Sequence, residues 1–386
     1  MKTSTNLSRL SPYLFADIDK KRAALEARGV DVISLGIGDP DRPTPAHIVD
    51  AMAEAIRNPV NHQYPAYEGS RRYREAVATY MSRRFDVDLD PDTQALALIG
   101  SKEGIANLHV ALVDPGDVVL VPAIGYPVYA TGALLRGATT REMAMNAENG
   151  WLADFESVPD DVAARAKIMF LGYPNNPTGA VATDEYFRRA IDFCRTHDIV
   201  LAHDNAYCDL TYDGYVAPSI LSYPGAEEVA IEFFSLSKPY NMTGWRIGFA
   251  VGNPDIVAAL GTVKNNIDSG QFTAVQDAAA VALTGPQTCV ADQCAIYARR
   301  RDLVVDALRA IGLDAQAPQA TIYVWTKVPE EMTSAQFAEH VLERAHVIVT
   351  PGSGYGASGE GYIRISLTTP DERLLEAVER IRTTLG

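Results

Sequence analysis

The 386-residue sequence predicts an α/β fold, with a mostly parallel sheet that carries helices on both faces and a smaller α+β domain beside it. Three observations predict this architecture. Short apolar runs alternate with helix-length amphipathic stretches between about residues 93 and 252. These runs are too continuous to be one-sided antiparallel strands. The pattern then changes in the last part of the chain, which indicates a second unit.

Six apolar runs are the predicted strands of the main sheet, and they read QALALIG, DVVLVP, KIMFLGYP, IVLAHD, AIEFFSLS and RIGFAVG. The stretches between them have helical spacing; one of them, DEYFRRAIDFCRTHD, begins at Asp184. In the C-terminal part we expect a long helix around residues 297–310. Strands TIYVWTKV, HVIVTPG and YIRISL follow, and a closing helix begins near Asp371.

The chain length favours two domains, because single hydrophobic cores usually stop growing at about 250 to 300 residues. We expect a large domain over residues 46–284. Residues 1–45 together with residues 285–386 are expected to form the small domain. No internal repeat, low-complexity tract or Gly/Ser linker marks these boundaries, which rest on the change of pattern.

The composition of the chain argues against several classes of function. The chain has 34 basic and 49 acidic residues and a net charge of −15, which opposes binding to nucleic acid. Its four cysteines and seven histidines form no CxxC pair and no HExxH motif, so we expect neither a metal site nor a disulfide framework. The sequence shows no signal-peptide core and no membrane span. We therefore expect a cytoplasmic protein without a membrane partner.

Two glycine-rich segments resemble nucleotide-binding motifs, but the sequence around each of them argues against that function. The segment GSGYGASGEG at residues 352–361 resembles a dinucleotide-binding loop, but it leads into the predicted strand YIRISL and not into a helix. A dinucleotide-binding dehydrogenase is therefore disfavoured. The segment GSKEG lacks the GxxxxGK[ST] pattern, which excludes a P-loop.

Ligands of parallel sheets bind beyond the carboxyl ends of the strands, so the residues after each run are the candidates for chemistry. Ser101 follows the first run and is expected to cap a helix whose amino end suits an anion. Tyr126 presents an aromatic face after the second run. Asn176 follows the third run and can donate an amide hydrogen bond. Each signal alone is equally typical of ordinary caps, turns and packing.

Further residues complete a pattern. Asp204 ends an apolar strand, with Tyr207 three residues later, and Lys238 lies in SLSKPYNMTGWRIG between hydroxyl residues and Arg246. A desolvated lysine can form a covalent bond to an aldehyde, and a carboxylate can keep a pyridine nitrogen protonated. Hydroxyls, helix N–H groups and an arginine suit a phosphate. Together these residue types supply the chemistry that pyridoxal 5′-phosphate requires.

The sequence resembles the fold-type I pyridoxal-phosphate aminotransferases of class I/II over almost its whole length. The segments that carry the resemblance are NHQYPAYEGSRRYREAVA, YPNNPTGAV, AHDNAYCDLTYD, SLSKPYNMTGWRIG and GYIRISL, in the order of the family. SLGIGDPDRPTP, LIGSKEGIANL and VKNNIDSGQF are most similar to a branch of the family that acts in lysine biosynthesis.

The resemblance implies that Lys238 binds the cofactor covalently and then moves the substrate proton. It implies that Asp204 pairs with the ring nitrogen and that Tyr207 and Asn176 hold the phenolate oxygen, while Tyr126 stacks on the ring. Lys238, Asp204 and Tyr207 are thus the expected catalytic residues. The full expected cofactor set is Tyr64 from the neighbouring subunit of a homodimer, Ser101, Lys102, Tyr126, Asn176, Asp204, Tyr207, Ser235, Ser237, Lys238 and Arg246.

The resemblance also implies the substrate site. Arg364 matches the arginine that binds the substrate carboxylate, which a planar guanidinium can hold with two hydrogen bonds. Glu68, from the neighbouring subunit, is expected to bind the distal ammonium of a substrate that carries a second ammonium and carboxylate. Lys102 is expected to bind the distal carboxylate of the same substrate. The expected substrate-binding residues are Tyr13, Gly38, Glu68, Lys102, Tyr126, Asn176 and Arg364.

The expected reaction is a two-step transamination. The resemblance implies glutamate and 2-oxoglutarate as one pair and LL-diaminopimelate and tetrahydrodipicolinate as the other. Three alternatives stay open. The chain could act on another amino acid, such as aspartate, alanine or an aromatic one, or it could be a pyridoxal-phosphate C–S β-lyase on the same fold. It could also be a non-catalytic ligand-binding domain, for which a DNA-binding extension would be expected.

Overall fold

A computed structural model of the protein describes residues 3–10 and 15–385. The strands are β1 Ile33–Ser34, β2 Ala95–Leu98, β3 Val118–Pro122, β4 Thr139–Met143, β5 Ala166–Leu171, β6 Val200–Asp204, β7 Ala230–Ser235, β8 Gly248–Gly252, β9 Tyr323–Lys327, β10 Val347–Ile348, β11 Thr350–Pro351 and β12 Tyr362–Ser366. The α-helices are α1 Phe15–Glu26, α2 Ala46–Ala55, α3 Arg71–Phe85, α4 Ser101–Leu112, α5 Val128–Arg136, α6 Asp160–Ala163, α7 Asp184–His197, α8 Ala226–Val229, α9 Pro254–Ile267, α10 Thr273–Thr284, α11 Thr288–Ala310, α12 Ser334–Ala345 and α13 Asp371–Leu385.

The main sheet has seven strands in the order β2-β8-β7-β6-β5-β3-β4. Neighbouring strands are parallel except at β8, which runs antiparallel to both β2 and β7. The six strands predicted from apolar runs are therefore confirmed. The sequence did not predict β4, because its residues are largely exposed at the edge of the sheet and form no apolar run.

Helices cover both faces of the main sheet, as predicted. Successive residues of β5 point to opposite faces, so Ile168 and Phe170 pack in a cluster with α4, α5 and α9. Met169 and Leu171 pack in a second cluster with α7. Burial on both faces explains why the strand sequences are continuously apolar.

The smaller sheets lie in the C-terminal part of the chain and near its start. Strands β11, β12 and β9 form an antiparallel sheet, and β1 pairs in parallel with β10. One hydrophobic cluster joins these strands to α11, α12 and α13. The predicted run HVIVTPG is divided between β10 and β11, which belong to different sheets. The closing helix begins at Asp371 as expected, whereas the long helix starts earlier than expected, at Thr288.

The domain boundaries near residues 45 and 285 stay a prediction. The pairing of β1 with β10 does show that an N-terminal and a C-terminal segment share one small sheet. Among the described residues, no helix combines the length and the apolarity needed to cross a bilayer.

Candidate active site

The predicted site residues that follow β5, β6 and β7 and precede β8 lie at one edge of the main sheet, the edge formed by the carboxyl ends of its parallel strands. The parallel strands β6 and β7 end there at Asp204 and Ser235, and β5 leads through a short turn to Asn176. Because β8 is antiparallel to β7, its amino end lies at the same edge. Arg246 precedes β8 and is thereby brought to the site, where a parallel strand would have placed it at the opposite end of the sheet.

Lys238 lies in the turn between β7 and β8. Its Nζ donates a hydrogen bond of 2.5 Å to the carbonyl oxygen of Gly38. Burial lowers the pKa of the Lys238 amine below its ordinary value, although Tyr323 and Asp39 act in the opposite direction. A lowered pKa increases the fraction of neutral amine at a given pH, and only the neutral amine is a nucleophile.

Asp204 is buried at the end of the central strand. Its Oδ2 accepts a hydrogen bond of 2.8 Å from the hydroxyl of Tyr129 on α5. Its Oδ1 is buried and has no hydrogen-bond partner among the described residues. Burial raises the pKa of this carboxyl above its ordinary value, while the bond from Tyr129 lowers it. The free oxygen is suited to a cationic donor, which would restore the ionised form.

A buried polar cluster beside Asp204 restrains the end of β6. The carboxylate of Glu232 accepts a hydrogen bond of 2.8 Å from the Asn205 amide and another from the hydroxyl of Ser219. Nδ1 of His203 lies 2.8 Å from the same carboxylate. Since His203 and Asn205 flank Asp204 in the chain, these bonds hold the backbone that carries it.

The amino end of α4 is the place of the predicted anion site, which stays a prediction, but the predicted cap is wrong. Gly100 is the N-cap residue, with a φ of 76° that favours glycine, and Ser101 is the first helical residue. A Cβ at position 100 would overlap the guanidinium of Arg246. Arg246 therefore lies against the helix end, where N–H groups already favour an anion.

Ser235 and Ser237 are in contact, with the Ser237 N–H 3.2 Å from the Ser235 Oγ.

Arg364 is buried on β12 and faces the same edge. One nitrogen of its guanidinium donates a hydrogen bond of 2.9 Å to Oδ1 of Asn176, and another donates one of 2.6 Å to the carbonyl oxygen of Gly36. Its Nε is buried without a hydrogen-bond partner among the described residues. A donor that remains available on a buried guanidinium suits a carboxylate ligand.

Tyr207 and Tyr126 each contact another aromatic residue. Tyr207 is buried, and its hydroxyl is 3.1 Å from the hydroxyl of Tyr323. Tyr126 is partly buried and makes an edge contact with Tyr129, with 6.1 Å between ring centroids. The ammonium of Lys102, an exposed residue, lies 5.6 Å from the centre of the Tyr126 ring.

Two predicted residues are highly exposed and one cannot be placed. Tyr64 has 88% of its surface exposed, and Glu68 is exposed on the same loop. Tyr13 lies outside the described residues. The exposure of a large aromatic side chain such as Tyr64 is compatible with its predicted place in a subunit interface.

Sequence reasoning missed Tyr129 and Tyr323. Tyr129 lies in the first turn of α5, directly after the strand-end turn that carries Tyr126, and residues that follow strand ends are the candidates for chemistry. That position could have identified it. Tyr323 carries no local signal, because it reaches Arg364 only through the pairing of β9 with β12.

The donor set fits pyridoxal 5′-phosphate, the cofactor that the sequence resemblance implies. The unpartnered Oδ1 of Asp204 is available to a protonated ring nitrogen, and the buried Lys238 amine is available to an aldehyde. The absent Cβ of Gly100 lets Arg246 approach the helix end that would receive a phosphate.

Comparisons with known proteins agree with this chemistry. A family model described as aminotransferase class I and II matches residues 30–381. The LL-diaminopimelate aminotransferase of Moorella thermoacetica is 54% identical over 386 residues, which are 100% of this chain and 99% of that protein. The substrate-bound structure of BacF from Bacillus subtilis superposes with a TM-score of 0.95 at 37% identity and covers 99% of this chain and 98% of its own. A Thermus thermophilus structure, titled probable N-succinyldiaminopimelate aminotransferase, has a TM-score of 0.91 at 39% identity over 96% of this chain and 100% of its own.

The bond from Tyr129 to Asp204 generates a first test. We expect Tyr129→Phe to slow the single-turnover reaction with glutamate by about ten- to a hundredfold, the equivalent of a hydrogen bond to a charged group. The lost donor raises the pKa of Asp204 further, so the deficit should grow as the pH falls. The measurement is the stopped-flow rate as a function of pH.

Tyr186→Phe is the matched control, since this buried phenol donates to the carbonyl oxygen of Ala153 in the cluster around α7. Its rate and pH profile should equal those of the wild type. A Tyr129→Phe profile that is indistinguishable from that of the control would contradict a role for this bond.

Proposed function

This chain belongs to the class I and II aminotransferases, and from that premise we propose that it transfers an amino group between LL-diaminopimelate and 2-oxoglutarate. The products are tetrahydrodipicolinate and glutamate, a reaction of lysine biosynthesis in the cytoplasm. The observation that carries the choice of substrate is the 54% identity, over the full length of both chains, with a relative named for that activity.

The enzyme depends on pyridoxal phosphate, as the family does. The residues that would hold the cofactor are Tyr64, Ser101, Lys102, Tyr126, Asn176, Asp204, Tyr207, Ser235, Ser237, Lys238 and Arg246. When bound, the cofactor supplies an aldehyde that bonds to amino groups and a protonated ring that withdraws electrons from the substrate α-carbon. The remaining chemistry belongs to the side chains of this chain.

Lys238 supplies the base. Its Nζ would accept the proton from the substrate α-carbon and would then give it to the carbon that carried the aldehyde of the cofactor, a role that needs a neutral amine near neutral pH. Burial lowers the pKa of Lys238 in the required direction. Asp204 holds the complementary charge, because its Oδ1 remains available for a cationic partner.

Arg364 orients the substrate by its α-carboxylate. The guanidinium is buried and is fixed by Asn176 on one side and by the Gly36 carbonyl oxygen on the other. Such fixation reduces the entropy lost when a carboxylate binds. Arg364 is thus placed to present the α-carbon of every amino-acid substrate in the same position.

Lys102 and Glu68 would distinguish LL-diaminopimelate from glutamate. The former substrate carries a second ammonium, which glutamate lacks, and its second carboxylate is two carbon atoms further from the first than that of glutamate. A selective site therefore needs an additional anion and a cation at a greater distance from Arg364. Both side chains are exposed, and the Lys102 ammonium lies beside Tyr126. A succinylated substrate would lack the distal ammonium and would have no use for Glu68.

The active unit in this proposal is a homodimer. Tyr64 and Glu68 lie on an exposed loop, and the exposed apolar residues Val60 and Tyr67 are close to them in the chain. A second copy of the chain that covered this loop would bring both residues to a neighbouring site. The dimer is supported by this exposure and by the family.

The catalytic assignment is tested by Lys238→Ala. We expect turnover to be abolished while cofactor binding stays detectable, because the residues proposed to bind the phosphate and the Asp204 carboxylate are retained. The measurement combines a coupled assay for glutamate formed from LL-diaminopimelate with a cofactor-binding titration. Turnover at the wild-type rate would end the proposal. Release of ammonia without glutamate by the wild type would instead identify a lyase.

Substrate selectivity is tested by Glu68→Gln and Lys102→Ala. Each should weaken LL-diaminopimelate more than glutamate by about 1.5–3 kcal/mol, the contribution of a hydrogen bond to a charged group. The measurement is KM for both substrates with each variant. Asp88→Asn, a substitution of a carboxylate that lies outside the site, is the control. Equal losses for both substrates would show that the distal group is recognised elsewhere.

The shared site is tested by complementation. Tyr64→Ala and Lys238→Ala subunits are each expected to be inactive at limiting cofactor, but a mixed dimer contains one site with both native residues. Random reassortment should therefore restore about a quarter of the wild-type activity, because half of the dimers are mixed and each has one intact site. No recovery, with mixed dimers verified by mass, would refute a site that Tyr64 completes from the second subunit.

A further inference from the structure

Tyr323, like Tyr129, is a buried residue of the site that neither the composition nor the family motifs identified. It begins β9 and pairs with Ser366 of β12, two residues beyond Arg364. Only 3% of its surface is exposed. Its phenol contacts Arg364 and Tyr207, to which the proposed function assigns roles, and Gly38, which the sequence resemblance places in the substrate site.

The ring of Tyr323 supports Arg364. The guanidinium carbon lies 4.0 Å from the centre of this ring and 4.9 Å from the centre of the Tyr355 ring. A guanidinium over an aromatic face is attracted by the ring quadrupole, and the attraction is larger where water is absent. The ring therefore restrains the Arg364 guanidinium, whose Nε has no hydrogen-bond partner among the described residues.

The hydroxyl of Tyr323 makes a different contact. It lies 3.1 Å from the hydroxyl of Tyr207, and both groups are buried. It also abuts Gly38, where a Cβ would overlap it, while the Gly38 carbonyl oxygen accepts the bond from Lys238. One phenol thus lies between the carboxylate arginine, the cofactor-facing tyrosine and the loop that contacts the catalytic lysine.

The bond between the two phenols is shielded from water, because both hydroxyls are buried. Burial raises the pKa of Tyr323, but the positive charges of Arg364 and Lys238 lower it. Burial and the neighbouring Tyr323 both raise the pKa of Tyr207. The shared hydrogen bond therefore restrains the position of the Tyr207 hydroxyl.

We propose that Tyr323 is a positioning residue whose ring holds Arg364 and whose hydroxyl holds the Tyr207 phenol in the position from which it would contact the cofactor. The inference rests on the proposed function for the roles of Arg364 and Tyr207. It adds that the single side chain of Tyr323 supports both the residue that binds the substrate carboxylate and a residue that binds the cofactor. The ring acts on carboxylate binding, and the hydroxyl acts on the binding of pyridoxal phosphate.

Two substitutions separate the two roles. Tyr323→Phe keeps the ring and removes the hydroxyl, so the Kd of the apoenzyme for pyridoxal phosphate should rise by about two- to tenfold, as for one neutral hydrogen bond. The Kd of the holoenzyme for glutarate, a dicarboxylate that cannot be transaminated, should stay within about twofold. Tyr323→Leu removes the ring as well and should also raise the glutarate Kd, by about three- to thirtyfold.

Tyr297→Phe is the matched control. Tyr297 is a fully buried phenol of the same hydrophobic cluster, also lies near an arginine, and has a hydroxyl with no hydrogen-bond partner among the described residues. Its loss should leave both Kd values unchanged. Thermal melting of every apoenzyme verifies folding, and Tyr323→Phe, which preserves the ring volume, decides the role of the hydroxyl if Tyr323→Leu does not fold.

A double-mutant cycle tests whether the hydroxyl acts through Tyr207. In a Tyr207→Phe background, Tyr323→Phe should change the pyridoxal phosphate Kd by less than about twofold, because the group it serves is absent. An equal loss in both backgrounds, or a Tyr323→Phe variant that behaves like Tyr297→Phe, would overturn the inference. Failure of the proposed function would be visible separately, as wild-type enzyme that forms no glutamate from LL-diaminopimelate.

Discussion

The residues of the candidate site are spread along the chain from Gly38 to Arg364, and strand direction is the constraint that brings most of them together. Parallel strands present their carboxyl ends at one edge, so Asn176 and Asp204 lie there without any long-range signal in the sequence. The reversal of β8 adds Arg246 to that edge. The α/β architecture thus determines where the functional groups lie before any of their individual contacts form.

Burial then gives these groups their chemistry. The same loss of water lowers the pKa of Lys238 and raises that of Asp204, so each group is shifted toward its neutral form. The neutral form suits the proposed role of Lys238 but not that of Asp204. The lysine needs to be neutral to act as a nucleophile and a base, whereas the carboxyl needs a cation to become ionised again. Tyr129, which donates to Asp204, assists that ionisation from the protein side.

The sequence predicted what depends on local pattern and missed what depends on pairing in space. Six strands were evident because strands buried on both faces are apolar throughout, while β4 lies at an exposed edge and was not found. Serine commonly occupies the N-cap position, which predicts Ser101 as the cap, but the left-handed backbone at residue 100 and the approach of Arg246 require Gly100 there. Tyr323 could not be predicted, because its neighbours are set by the register of β9 and β12.

The carbonyl oxygens of Gly36 and Gly38 accept hydrogen bonds from Arg364 and Lys238, respectively. An incoming ligand that takes these donors therefore exchanges one hydrogen bond for another, and its affinity reflects only the difference between the two. A carboxylate is a stronger acceptor than an amide carbonyl and gains from the exchange, whereas a neutral acceptor gains almost nothing. The carbonyl oxygens of Gly36 and Gly38 thus compete with the ligand for these donors, and this competition favours charged ligands over neutral analogues of the same shape.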